Sequence, residues 1–151
     1  MSMTYDMEGF NGRSADLSLF GDLTFEEMAK KALNEVRGDV ESCTRAAVSA
    51  SVRHSGPSEL VNSVKSFEPS MTRDGTGAKL TCTFTGRSSS GNRYNNNGRS
   101  HLVYNNDKAF WLEYGTVKQP ARPWRDRALN NAERIVGPKI EDSIGKALGA
   151  E

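Results

Sequence analysis

A chain of 151 residues with 36% apolar residues and a formal net charge of +1 fits one domain, or one domain with an arm. Its mean hydropathy of −0.63 leaves little apolar material for a self-sufficient monomer and suits a chain with much of its length in arms, loops or subunit contacts. No run approaches the roughly 20 apolar residues of a membrane-spanning helix, and MSMTYDMEGFNGRS lacks the basic start and apolar stretch of a secretory signal, so a cytoplasmic site of synthesis is expected.

Residues 1–22 show no sustained periodicity and read as an arm. Its apolar residues Phe10, Leu17, Leu19 and Phe20 are candidates for docking on a neighbouring subunit. At Thr24 the pattern changes, because Thr24-Phe25-Glu26-Glu27 is a capping box that satisfies free backbone N–H groups at a helix start. Phe25, Met28, Ala29, Ala32, Leu33, Val36, Val40, Cys43 and Ala47 then recur at gaps of three and four. That stripe predicts one helix over 24–51, bent but not broken at Gly38, and roughly 40 Å long. Ser55-Gly56-Pro57 ends it, and Pro57 suits the first turn of a short helix through Leu60, Val61 and Val64.

From Lys65 the period becomes two. Pro69 suits an edge strand or bulge, and Asp74-Gly75-Thr76-Gly77 a turn. Residues 78–85 alternate, which predicts a hairpin strand with Leu80, Cys82 and Phe84 on its buried face. GRSSSGNRYNNNGRS then reads as a flexible loop at 87–100. Two further strands are expected at 101–104 and 109–112, turning at Asn105-Asn106-Asp107, the second ending in Glu113-Tyr114-Gly115-Thr116. Gly115 is free to take a positive φ there. Arg122-Pro123-Trp124 leads into a last helix to about Leu148, with a stripe of Ala128, Leu129, Ala132, Ile135, Val136, Ile140, Ile144 and Leu148. Gly137-Pro138 is expected to kink or interrupt it. Pro123 pre-sets the helix entry, and Trp124 folds back onto the sheet.

The expected architecture is therefore α+β: a long N-terminal helix and a C-terminal helix packed on a mostly antiparallel sheet of about four strands, in a single domain over 23–151. Cys43 and Cys82 have no metal-ligand spacing and read as small buried residues. His54 and His101 show none either. Ser88-Ser89-Ser90 lacks the strand–turn–helix setting of a nucleophile, and Gly75-Thr76-Gly77 is neither a dinucleotide fingerprint nor a phosphate loop. No enzyme, cofactor or metal is expected.

Charge is placed unevenly. Residues 1–42 hold nine acids against four bases, whereas residues 75–106 hold Lys79, Arg87, Arg93 and Arg99 with no acid. Arg87, Arg93, Tyr94 and Arg99 therefore suit phosphate contact and base stacking, or an acidic face of another subunit. The bland reading, a soluble loop meeting an acidic neighbour, is the preferred of the two.

The segment AFWLEYGTVKQPARPWRDRAL carries the most specific signal. A Glu-Tyr-Gly-Thr corner followed by Ala121-Arg122-Pro123-Trp124 and a C-terminal helix, after an alanine-rich helix and Ser55-Gly56 through Leu60-Val61-Asn62-Ser63-Val64, resembles the neck proteins of lambda-like long-tailed bacteriophages. These are the tail-completion, head–tail joining or minor tail components. The resemblance covers about residues 24–148 and departs from the pattern at Pro57-Ser58 and in the Asn-rich stretch. It implies a virion protein, assembled in the host cytoplasm, that forms a ring, with six copies expected. The ring joins or completes the tail at the head–tail interface, between head connector or adaptor and tail terminator or tail-tube proteins, with packaged DNA in its lumen and no membrane. It also implies that Glu113, Tyr114, Gly115, Thr116, Arg122, Pro123 and Trp124 shape the signature surface. Apart from the resemblance, Glu113 and Arg122 are candidates for an ion pair across the corner. The alternatives are a head-side minor capsid or connector component and, more distantly, a non-specific nucleic-acid-binding protein.

Overall fold

Residues 2–6, 25–52, 58–74, 77–89, 93–147 and 149 are described by the computed structural model of the chain, the first five as backbone. The strand β4 (Ala78–Phe84) organises the fold, because every other strand of the main sheet pairs with it antiparallel. On one side lies β1 (Ser2–Asp6), with Met3 opposite Cys82; on the other lie β2 (Val64–Ser66) and β3 (Ser70–Met71). The alternation read from the sequence is present: Ala78, Leu80, Cys82 and Phe84 are buried, and the residues between them half-buried. One face of the sheet thus carries the core and the other meets water.

Helices α1 (Phe25–Glu35), α2 (Arg37–Ser51) and α5 (Arg125–Ala147) close the core. Met28, Ala29, Ala32, Leu33, Val36, Val40, Cys43, Ala47 and Val48 are all buried, so the predicted stripe is the packed face. The helix is broken, however, at Val36 rather than bent at Gly38. Val36 leaves helical geometry (φ −98°, ψ 1°), although Val40 N still donates to its carbonyl at 3.1 Å. The reason lies across the core. Arg37 reaches β2, donating to Ser66 O at 3.0 Å and Ser66 Oγ at 3.3 Å, and Glu41 accepts from Ser66 N at 2.7 Å and Ser66 Oγ at 2.6 Å. These anchors fix the start of α2 against the sheet.

A short helix, α3 (Glu59–Asn62), follows, with the Ser58 hydroxyl accepting from Leu60 N at 3.2 Å; Val64 already belongs to β2. Thr24, Ser55, Gly56, Pro57, the arm residues Phe10, Leu17, Leu19 and Phe20, His54 and Leu148 lie outside the described residues.

Further expectations are corrected. The arm is not without structure at its start, since 2–6 forms β1. The stretch expected as a flexible loop at 87–100 holds a hairpin, β5 (Arg93–Asn96) and β6 (Arg99–Leu102), separate from the main sheet. The strands expected at 101–104 and 109–112 are not members of that sheet. The first is the end of β6; the second lies in helix α4 (Asn105–Tyr114). Asn105-Asn106-Asp107 is the first turn of α4, with the Asp107 carboxylate accepting from Tyr104 N at 2.9 Å. Finally, α5 runs through Pro138 without interruption. Proline removes one backbone bond there, but Pro138 faces solvent, while Val136 and Ile140 on either side pack into the core. Ile135, counted in the buried stripe, is 43% exposed.

Candidate functional site

The link between α4 and α5 gathers the corner residues into one braced structure. The Trp111 carbonyl accepts from Gly115 N at 2.8 Å, ending α4, and the Leu112 carbonyl accepts from Arg122 N at 2.7 Å. Between them Thr116 and Gln119 exchange backbone bonds of 2.8 and 3.2 Å, and the Thr116 hydroxyl accepts from Lys118 N and Gln119 N, both at 3.2 Å. A tight turn through Val117 and Lys118 results.

Two features lock this turn to the domain. Gly115 sits at φ +78°, ψ 178°, a conformation essentially reserved for glycine, and a Cβ there would stand 2.6 Å from Ala121 N. The returning chain therefore crosses directly over Gly115. The carboxylate of Glu113 accepts from Trp124 N at 2.8 Å and Arg125 N at 3.0 Å, so it caps the start of α5. The expected ion pair with Arg122 is accordingly replaced by a helix cap, and Arg122 is tied in by its backbone.

Trp124 is fully buried. Its ring meets Phe84 of β4 edge-on at 5.1 Å, and its Nε1 donates to Ala109 O at 3.0 Å. The tryptophan thus pins α5 to the sheet and to α4 together, as its position after Pro123 predicts. Trp111 is only half-buried and meets Tyr94.

Outward, the corner exposes apolar side chains beside the polar Thr116, Lys118 and Gln119. Val117 is fully exposed, Tyr114 is 56% and Phe110 50% exposed, and the last two rings touch at 4.8 Å. Phe110 and Val117 were not singled out from the sequence. The available signal was the spacing of Phe110 and Tyr114, four apart and hence on one helical face, but it is visible only once 105–114 is read as helix.

The basic group lies elsewhere. Arg93 and Arg99 sit on the exposed β5–β6 ribbon, and the Arg87 guanidinium lies 5.8 Å from the Tyr104 ring centre at its base. Tyr94 stacks on His101 at 5.4 Å and meets Trp111 edge-on at 5.3 Å, so its ring is already engaged. Glu59 joins the ribbon base to α4: its carboxylate accepts from Ser89 N at 2.7 Å and Lys108 Nζ at 3.2 Å, and the Ser89 bond, then Lys108, holds it below the usual carboxylate range.

Both cysteines are buried and unpaired. Burial pushes Cys82 up to about 11 and raises Cys43 as well. Among the described residues no group of three His, Cys, Asp or Glu side chains is placed to hold a metal ion, and no helix is long and apolar enough to cross a membrane. Comparison with family models, with curated proteins and with solved structures gave no match for this chain.

Proposed function

We propose that this chain is a structural virion protein of the neck of a long-tailed bacteriophage, one subunit of a ring that joins or completes the tail at the head–tail interface. The reading begins with the two ordered motif blocks of the sequence. The observation that supports it best is the corner itself: a turn fixed by Gly115, the Glu113 cap and buried Trp124 presents Val117, Tyr114 and Phe110 to solvent. Exposed apolar groups on a rigid support suit a protein–protein contact, since little ordering is needed on binding. No cofactor and no catalytic step belong to this reading. The partners are other copies of the chain, six to a ring, with a head connector or adaptor on one side and tail components on the other.

Electron microscopy of particles made without this gene tests the assignment. DNA-filled heads beside finished, unattached tails are the expected result, and over-long tails would make the protein a terminator of the tail. Heads that fail to form or to keep their DNA would move it to the head-side connector. Normal joined particles would overturn the proposal. Within the same assay, Val117→Asp and Tyr114→Asp are expected to fold but fail to restore joining.

A further inference from the structure

The β5–β6 ribbon takes no part in the corner. Every residue from 95 to 101 is exposed, so neither face of the outer ribbon is covered. A lone two-stranded ribbon is marginal in water, but this one is clamped at its base. Ser88 N donates to Val103 O at 2.9 Å, Asn105 N donates to Gly86 O at 3.1 Å, Val103 and Asn105 are buried, and Tyr94 rests against Trp111. Its tip is a two-residue turn with positive φ at both Asn97 (50°) and Gly98 (76°), the type I′ geometry that matches strand twist.

Register decides where the charges point. Asn96 pairs with Arg99 and Tyr94 with His101, so these four share one face; Arg93, Asn95, Ser100 and Leu102 share the other. Each face of the ribbon therefore carries one arginine. Arg93 lies along its own face, donating from Nε to Ser100 Oγ at 2.7 Å and from a terminal nitrogen to Ser100 O at 3.1 Å. Residues 75–106 contain no Asp or Glu, and neither arginine forms an ion pair among the described residues. The nearest cation on α4, Lys108, is already neutralised by Glu59 at 3.2 Å. What the ribbon offers is guanidinium, carboxamide and hydroxyl groups with no fixed negative charge.

We propose that the β5–β6 ribbon is a contact for duplex DNA, its Asn97–Gly98 tip entering the major groove with Arg99 and Arg93 directed to the phosphate rows on either side. A major groove about 12 Å wide admits a two-stranded ribbon, whose strands lie about 4.8 Å apart. Single strands are usually gripped by stacking bases on aromatic rings, but Tyr94 is held between His101 and Trp111. Phosphate contact is left as the source of affinity, without sequence preference. The inference needs only the ribbon and stands apart from the neck assignment.

The test is fluorescence anisotropy of a short labelled duplex titrated with the full chain across a range of salt. The wild-type protein binds at low salt. Arg99→Gln, whose side chain makes no hydrogen bond among the described residues, reduces the slope of log affinity against log salt by about 0.9, and the Arg93→Gln/Arg99→Gln pair by about 1.8. Arg93→Lys, which keeps the charge, retains the slope; Arg134→Gln, removing an exposed charge from α5, also leaves it unchanged. No binding at low salt, an unchanged slope in Arg99→Gln, or tighter binding of a single strand of equal length would overturn the proposal. So would equal affinity and slope for labelled polyglutamate, which would make the ribbon a contact for an acidic protein surface. Failure here together with unjoined heads and tails in the deletion experiment would sink the ribbon contact and leave the neck assignment standing.

Discussion

Replacing Gly115 with alanine is the sharpest test of the corner. At φ +78° and ψ 178° any side chain is strained, at about 1–3 kcal/mol. The added Cβ would also meet Ala121 N at 2.6 Å, Gln119 O at 3.0 Å and Pro120 C at 3.1 Å. All three are backbone atoms, so no rotamer change relieves the contact and the returning strand must move. That movement loosens the Arg122–Leu112 bond of 2.7 Å and the Glu113 cap behind it. Adding roughly 1 kcal/mol for a weakened hydrogen bond to the strain gives an expected loss of about 2–4 kcal/mol. For a domain of this size that is a fall in Tm of about 4–16 °C. Urea unfolding followed by circular dichroism measures it. Gly98→Ala is the control: φ is similar at +76°, but nothing lies within 4 Å of its Cβ. It is expected to lose only the conformational part, about 1 kcal/mol. Equal losses for the two variants would mean that the chain does not cross over Gly115 as described, and the account of a rigid corner would fail.

Four further outcomes follow from the same geometry. Glu113→Ala, which leaves Trp124 N and Arg125 N without their acceptor, should cost about 1–2 kcal/mol in urea unfolding, with Glu113→Gln losing less. At Glu41, burial works against ionisation, but two hydrogen bonds from Ser66 and the charges of Arg45 and Arg37 outweigh it and hold the carboxyl below its ordinary value of 4.5. Because the folded pKa lies below the unfolded one, the stabilisation is present above about pH 4.5 and lost as pH falls through the folded value; Glu41→Gln should flatten the pH dependence of the urea midpoint in that window. With its thiol pushed up to about 11, Cys82 should resist alkylation at pH 8 in the native protein, like buried Cys43, and both should react in urea, as counted by mass spectrometry. Gly38→Ala, with open space around its Cβ within α2, should stabilise by about 0.5–1 kcal/mol in thermal melts.

What the sequence revealed was decided by pattern length. Seven residues alternating from Ala78 to Phe84, and a stripe recurring from Met28 to Ala47, each identify a buried face, because no other period fits so many positions. Ala109-Phe110-Trp111-Leu112 is too short for that. A run of four apolar residues fits a strand or a helix equally, and the deciding signal, Asp107 three residues after the N-cap Tyr104, was read as a turn. The ribbon was missed because Asn, Ser and Arg are poor strand formers, and its stability comes from the clamp at Val103 and Asn105 rather than from its own residues. Strand β1 carries no period strong enough to announce it; its place depends on the open edge of β4. Ile135 and Pro138 show the same limit on α5, where periodicity locates a stripe but not its width.

Reading 105–114 as helix also changes what the corner is. A strand ending at Glu113 would leave that carboxylate to find a cation, and Arg122 across the corner is one candidate. On a helix, an acid in the last turn is disfavoured by the dipole of its own helix. Glu113 of α4 is nevertheless well placed, because its two bonds go to the start of α5, where a negative charge is favoured and free N–H groups need an acceptor. The residue makes sense only as a joint between two helices. Gly115 lets the chain turn back closely enough for the carboxylate to reach, and Trp124, bonded to Ala109 of α4 and packed on Phe84 of β4, fixes the angle at which α5 departs. Glu, Gly and Trp at this spacing are therefore three parts of one device, which holds the Val117 turn exposed among the described residues.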